Sequence, residues 1–309
     1  MDTQMLSILK SAFFRLLPLL IITIYCVLFS QSGLSQNNTD FPEITNEGWL
    51  RPFPSVQIVN NLYFVGSYEL GQFLITTDEG HILINTGPHG SVQLIKNSIL
   101  SLGLNINDIK ILLTTQAHWD HVGGLAEIKR ITGACMLAQK DDAPVLEDGG
   151  ASDYKFPDGR ESTFETVQVD EIINDGDVIE LGNFKLNVHH HPGHTKGSTS
   201  YSFTTSVDNK DYSVLIVNMG TINSGVTVSG MPGYEDITED FRSTFTSQLE
   251  LSPDIYVSAH AGHFDFHDKY KPGDGYNPER FVDQAGYVEK IKYYQRIFTE
   301  HLETEFTDR

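Results

Sequence analysis

The chain has 309 residues, of which 39% are hydrophobic, enough for one large or two small domains. Its formal net charge of −20 gives it an acidic surface that repels phosphate backbones, which counts against a nucleic-acid partner. At the N-terminus, Lys10 and Arg15 precede an apolar run from Leu16 to Phe29, and Gly33-Leu34-Ser35 supplies the small residues a signal peptidase reads. Residues 1–35 are therefore expected to be a secretory signal cleaved before Gln36, leaving a periplasmic protein with no stable membrane association. The apolar run contains Pro18 and is shorter than the roughly 20 residues of a spanning helix, which disfavours an uncleaved anchor. Loss of Asp2, Lys10 and Arg15 with the signal makes the net charge one unit more negative. Loss of Cys26 leaves Cys135 alone, so no intramolecular disulfide is possible.

Residues 36–57, with Asn37-Asn38-Thr39, Pro42, Pro52 and Pro54, lack a hydrophobic period and read as an irregular N-terminal arm packing over a catalytic domain of residues 58–309. Strands are expected at Leu62–Val65, Phe73–Thr76 and His81–Ile84, forming an antiparallel meander whose second turn is Asp78-Glu79-Gly80. Asn85-Thr86-Gly87 ends the third strand. Ser91 is placed to cap a helix with Val92, Ile95, Ile99 and Leu102 on one face, and Gly103 to end it. A buried strand, Ile111-Leu112-Leu113, leads into Gln116-Ala117-His118-Trp119-Asp120-His121, and Leu125–Ile131 resumes as a short helix. Gly133–Ala138 reads as a strand in which Cys135 is a buried, inert thiol. Asp141-Asp142-Ala143-Pro144 has the signature of a helix start stopped by Gly149-Gly150, and 151–165 reads as a polar surface loop. A hairpin over Val178–Val188 delivers the loop from His189 to His194. Strands at Thr199–Phe203, Tyr212–Val217 and Ile255–Val257 come next, with a helix around Phe241–Leu249 and a last amphipathic helix from Phe281 to Leu302.

Neither regular element would gather Gln116, His118, Asp120 and His121, because a strand opposes 118 and 121 and a helix spreads them around its circumference. An irregular loop can, with Gly123-Gly124 letting the backbone turn. Two imidazoles and a carboxylate suit zinc, and two ions about 3.5–4 Å apart would use their diverging directions. Two further histidine-rich loops, His189-His190-His191-Pro192-Gly193-His194 and Ser258-Ala259-His260-Ala261-Gly262-His263, also follow strands. Three such loops spread through the chain are hard to explain without a shared metal.

The order Gln116-Ala117-His118-Trp119-Asp120-His121, then Pro192-Gly193-His194-Thr195-x-Gly197-Ser198, then Ser258-x-His260 resembles the metallo-β-lactamase superfamily over roughly residues 58 to 270. It is most similar to class B, subclass 3 β-lactamases, in the branch where Gln replaces the first motif histidine. The resemblance implies an αββα sandwich, two facing mixed sheets covered by helices. It further implies two zinc ions, one held by Gln116, His118 and His194 and the other by Asp120, His121 and His260, with hydroxide formed at near-neutral pH opening a β-lactam ring. The amide of Gln116 is a weaker donor than imidazole, so its site is expected to bind zinc less tightly. Asp120, His118 and His121 are the expected catalytic residues, and Thr221 falls where related enzymes place a hydroxyl near the substrate carboxylate. Met219 occupies the region where other subclasses carry a metal-binding cysteine. His189, His190, His191 and His267 are expected outside the ligand set, and His263 competes with His260. A penicillin, cephalosporin or carbapenem is the implied substrate and a monomer the expected state. The alternatives are a binuclear zinc hydrolase of a lactone or thioester and a secreted zinc-binding protein without catalysis.

Overall fold

Alternation of apolar side chains along the strands divides the interior into two cores. In the strand Phe73–Thr77 (β3), Phe73 and Ile75 face one core and Leu74 the other; in Gly80–Ile84 (β4), Ile82 and Ile84 oppose Leu83 in the same way. A sheet buried on both faces must be covered on both, by a second sheet and by helices. The computed structural model describes residues 41–155 and 163–307, so the expected signal, the first residues of the expected arm and part of the 151–165 loop lie outside the described residues.

Around β3 and β4 the first sheet has seven strands in chain order: Val56–Val59 (β1), Leu62–Phe64 (β2), β3, β4, Ile109–Leu113 (β5), Cys135–Gln139 (β6) and Glu171–Ile173 (β7). Each of the first four is antiparallel to its neighbour, which is the expected meander with one more strand, and β5 to β7 add in parallel. The second sheet, in spatial order β12-β11-β10-β9-β8, comprises Val178–Leu181 (β8), Phe184–His190 (β9), Thr199–Val207 (β10), Lys210–Val217 (β11) and Ile255–Ser258 (β12). Its strands are antiparallel except for β12, which is parallel to β11.

Helices Val92–Ser101 (α1), Leu125–Thr132 (α3) and Ala143–Glu147 (α4) place Ile95, Ile99, Ile128 and Leu146 against Leu83, Leu112 and Met136 on the outer face of the first sheet. Between them, Trp119–Val122 (α2) forms a single helical turn. Ile237–Glu250 (α5) and Gln284–Thr307 (α7) bring Phe241, Phe245, Phe298 and Leu302 to the second, while Phe266–Lys269 (α6) is a short turn between them. Helix, sheet, sheet, helix is the αββα sandwich.

Four local expectations are corrected. β1 begins at Val56, within the stretch read as arm, because pairing with β2 organises residues that Pro52 and Pro54 make look irregular. Ser91 precedes α1, yet its hydroxyl donates to the carbonyls of Thr86 and Pro88 rather than capping the helix. Cys135 is half-buried at the start of β6, not buried, and partial burial together with Glu171 and Asp170 raises its thiol pKa. Gly123 and Gly124 have φ of −60° and −97°, so conformational freedom is not their role; a Cβ on Gly123 would lie 2.4 Å from the backbone nitrogen of His89.

Candidate metal centre

The C-terminal ends of β4, β5, β9, β11 and β12 converge at one end of the sandwich. Asn85, buried just after β4 with φ of 64°, organises the loop that leaves β5. Its Oδ1 accepts from the Thr115 amide at 2.9 Å and the Thr114 hydroxyl at 3.1 Å, while its Nδ2 donates to the Thr115 hydroxyl at 3.2 Å. An asparagine supplies both donor and acceptor and tolerates the left-handed backbone. The chain then runs extended through His118 (φ −97°, ψ 147°) and enters α2 at Trp119. That switch between periodicities brings His118 and Asp120 to one cleft, with the buried His121 behind them against Asp120.

Asp142, expected as a helix cap, makes no capping bond. Instead its buried carboxylate accepts from the Ala117 amide at 2.8 Å, the Gly197 amide at 2.9 Å and the Thr195 hydroxyl at 3.0 Å. It therefore ties the loop of His118 to the loop of His194. Burial pushes its carboxyl up to about 6 even though these bonds pull the other way.

Asp120, His121 and His260 form a cluster whose candidate ligand atoms all lie within 4.8 Å of one another. Asp120 Oδ2 is 3.2 Å from His121 Nε2 and 3.5 Å from His260 Nε2. Burial would raise the Asp120 carboxyl, but His121, His260 and His118 outweigh it and hold the group far below the usual carboxylate range. His260 is lowered to about 4 by burial and by His121. His263 lies with its ring 4.9 Å from that of His260, tilted by 52°, and is outside that cluster.

On the other side of Asp120, His118 Nδ1 and His194 Nε2 face each other at 3.1 Å. The outer nitrogen of His194 is engaged, with Nδ1 2.8 Å from the Thr221 carbonyl and 2.9 Å from its hydroxyl, whereas His118 Nε2 lies 3.2 Å from Asp153 Oδ2 but outside hydrogen-bond geometry. A proton on each outer nitrogen leaves two lone pairs pointing at each other. Burial lowers His194 to about 3, with His118 adding to the effect. Burial also opposes charge on His118, but Asp153 and Asp120 more than offset it and the net shift is upward.

These residues fit a cation. Buried polar atoms are nearly always hydrogen-bonded, yet Gln116 Oε1 and both ring nitrogens of His121 are buried with no hydrogen-bond partner. The facing imidazole nitrogens of His118 and His194 and the ionised carboxylate of Asp120 line the cleft with Gln116, and neutral imidazole plus carboxylate is a donor set suited to zinc.

The cleft, about 320 Å³ in volume, is walled by Trp49, Trp119 and Ile222 as well as by these polar groups. Trp49 belongs to the N-terminal arm, with its ring 5.2 Å from that of Trp119 and 6.4 Å from that of His260. Thr221 lines the cleft with its hydroxyl against His194. Four histidines expected outside the ligand set serve the framework: His189 pairs with Ser202, His190 with the Lys196 carbonyl, His191 with Ser200 and His267 with the Tyr68 carbonyl. Met219 is buried in the core. Sequence reasoning missed Trp49, Asp142 and Asp153. Only Asp142 carried a signal, as one of two adjacent acids where a helix start needs one.

An αββα sandwich with histidines and a carboxylate at its strand ends is the architecture of a metallohydrolase. The family model described as the metallo-beta-lactamase superfamily matches residues 72–205, and the chain belongs to that superfamily. Among solved structures, it is 46% identical to the class B3 di-zinc metallo-β-lactamase LRA-12 from an Alaskan soil metagenome, covering 85% of this chain and 99% of that one with a TM-score of 0.82. The metallo-β-lactamase GOB-18 from Elizabethkingia meningoseptica is 41% identical, with 86% and 98% covered and a TM-score of 0.83. Acyl-coenzyme A thioesterase MBLAC2 of Homo sapiens is 36% identical over 97 residues, 28% of this chain; the match spans 35% of that curated relative.

Proposed function

We propose that this protein hydrolyses the β-lactam ring of penicillins, cephalosporins or carbapenems, that it does so with two zinc ions, and that it acts in the periplasm to confer antibiotic resistance. The observation that carries this reading is the convergence of two donor sets on one open cleft, in a chain that covers nearly the whole length of class B3 enzymes. Gln116, His118 and His194 would hold one ion, and Asp120, His121 and His260 the other. Zinc there supplies a hydrolytic nucleophile at near-neutral pH and Lewis-acid polarisation of an acyl carbonyl.

The chain's own groups do the rest. Asp120 remains ionised at the cleft wall, so it orients an attacking water by accepting its hydrogen bond rather than by taking its proton. His194 and His260, lowered to about 3 and about 4, are neutral imidazoles at neutral pH and can act as ligands without first losing a proton. Trp49, Trp119 and Ile222 give the apolar body of a bicyclic lactam a surface and displace water from it. Lys155 is the one Lys or Arg among the described residues lining the cleft, and its ammonium suits the carboxylate that β-lactams carry. The Thr221 hydroxyl lines the same cleft and offers a second polar contact to that carboxylate.

Turnover of a penicillin, a cephalosporin, a carbapenem, a homoserine lactone and an acyl thioester, each before and after chelation, tests the reading. Chelator-sensitive hydrolysis of the β-lactams in clear preference is expected. Preference for the thioester would favour the alternative suggested by the MBLAC2 match, and metal binding without turnover would favour a zinc-binding protein.

A further inference from the structure

The segment from Asp148 to Lys155 begins as a tightly hydrogen-bonded turn. The Asp148 carboxylate accepts from the amides of Gly150 at 3.1 Å, Ala151 at 2.9 Å and Ser152 at 3.0 Å. The next two residues turn inward and are buried, Asp153 to 7% exposure and Tyr154 to 7%. Asp153 places Oδ2 3.2 Å from His118 Nε2, within reach but off the straight line of a hydrogen bond, while its Oδ1 accepts from the Lys155 amide at 3.0 Å. Tyr154 donates its hydroxyl to the backbone carbonyl of His194 at 2.9 Å, and its ring rests against Tyr234 at 4.8 Å. Consecutive residues of one turn thus touch both histidines of the Gln116 donor set.

An imidazole whose outer N–H faces a carboxylate is fixed in one tautomer, and its inner nitrogen becomes more basic. The two donor sets differ in their need for this. Asp120 gives its own set an anion, whereas Gln116, His118 and His194 are all neutral and one is a weak amide donor. We propose that Asp153 is a positioning residue that fixes the His118 tautomer and strengthens zinc binding by the Gln116 set, with Tyr154 holding the His194 backbone beside it. The buried carboxylate compensates from outside the ligand set for the histidine that Gln116 replaces. The inference rests on Gln116, His118 and His194 being the ligands of one ion.

Zinc affinities of the purified enzyme, measured by competition with a chromophoric chelator, test it on Asp153→Asn, Asp153→Glu, Tyr154→Phe and His118→Ala, alongside the visible spectra of the cobalt(II) forms. Wild type is expected to show a tighter and a weaker class of ion. Asp153→Asn is expected to weaken the weaker class about tenfold to a hundredfold and alter its cobalt spectrum, leaving the tighter class alone. Asp153→Glu is expected to recover part of that loss, and Tyr154→Phe to show a smaller loss in the same class, which keeps the test informative if Asp153→Asn folds poorly. Wild-type affinity in both Asp153→Asn and Tyr154→Phe, while His118→Ala loses the weaker class, would overturn the role of the turn but leave the ligand assignment standing. Retention of both classes in His118→Ala would instead overturn the ligand assignment and this proposal with it.

Discussion

Gly197→Ala tests whether Asp142 holds the two halves of the centre together. A Cβ at position 197 would lie 2.4 Å from the backbone nitrogen of Asp142 and 2.6 Å from both its Cβ and Cγ, where ordinary contact begins at 3.4 Å. The two segments must therefore separate by about 1 Å, and the bond from the Gly197 amide to the Asp142 carboxylate, now 2.9 Å, would break. Losing a hydrogen bond to a charged group costs about 1.5–3 kcal/mol, and overpacking a closed site costs about 1–3 kcal/mol. Because one displacement produces both, a total of about 2–5 kcal/mol is expected, or a fall in Tm of roughly 5–15 °C for a domain of this size. The same shift reaches His118 through Ala117 and His194 through Thr195, both bonded to Asp142. Misplacement of about 1 Å near reacting atoms costs up to about a hundredfold in rate, so kcat/KM on a chromogenic cephalosporin is expected to fall tenfold or more. Gly275→Ala, where a Cβ meets nothing within 4 Å, is the control. Thermal melting and turnover of Gly197→Ala equal to those of the control would refute this account of the centre.

Asp120→Ala is expected to abolish hydrolysis and lower bound zinc, measured by elemental analysis, while Cys135→Ser, whose thiol is raised above its ordinary pKa, leaves both unchanged. Gln116→His is expected to raise zinc occupancy of the weaker site and Gln116→Ala to lower it, since imidazole is the better donor to a borderline metal; three proteins of equal zinc content and chelator resistance would remove Gln116 from the ligand set. The Asp142 carboxyl, pushed up to about 6 in the fold against about 3.9 in an unfolded chain, contributes stability that is present below pH 3.9 and lost as pH rises through 6. Asp142→Asn, which cannot ionise, is therefore expected to flatten the pH dependence of Tm between about pH 4 and pH 6, and melting curves across that window with the wild-type slope would contradict it. Intact mass of the protein from a periplasmic extract is expected to begin at Gln36, and a mass retaining residues 1–35 would refute the signal.

Much of this molecule was legible in one dimension because its signals are local. Period-two alternation in β3 and β4, the turn residues at 78–80, and the helical spacing of Val92, Ile95 and Ile99 each act over a few residues, and the structure obeys them. The three histidine-rich loops were visible for a related reason: they concentrate residue types able to bind a metal in short stretches. What the sequence could not decide is which side chains meet across long separations. Asp142 and Gly197 are 55 positions apart, and only packing of α4 beside the His194 loop turns an apparent helix cap into the tie between two loops. Asp153 reads as one more acid in a polar stretch until burial places it against His118. The arm looked irregular because nothing local says that Trp49 wedges against Trp119. Gly123 could be read as a flexible turn because a sequence records the absence of a side chain but not the reason for it, which is the backbone of His89 lying where a Cβ would go. Local periodicity fixes the elements, since each residue's burial depends on its immediate neighbours. The tertiary structure alone decides the supports of the centre, because a buried carboxylate acquires its role from the donors that distant segments bring to it.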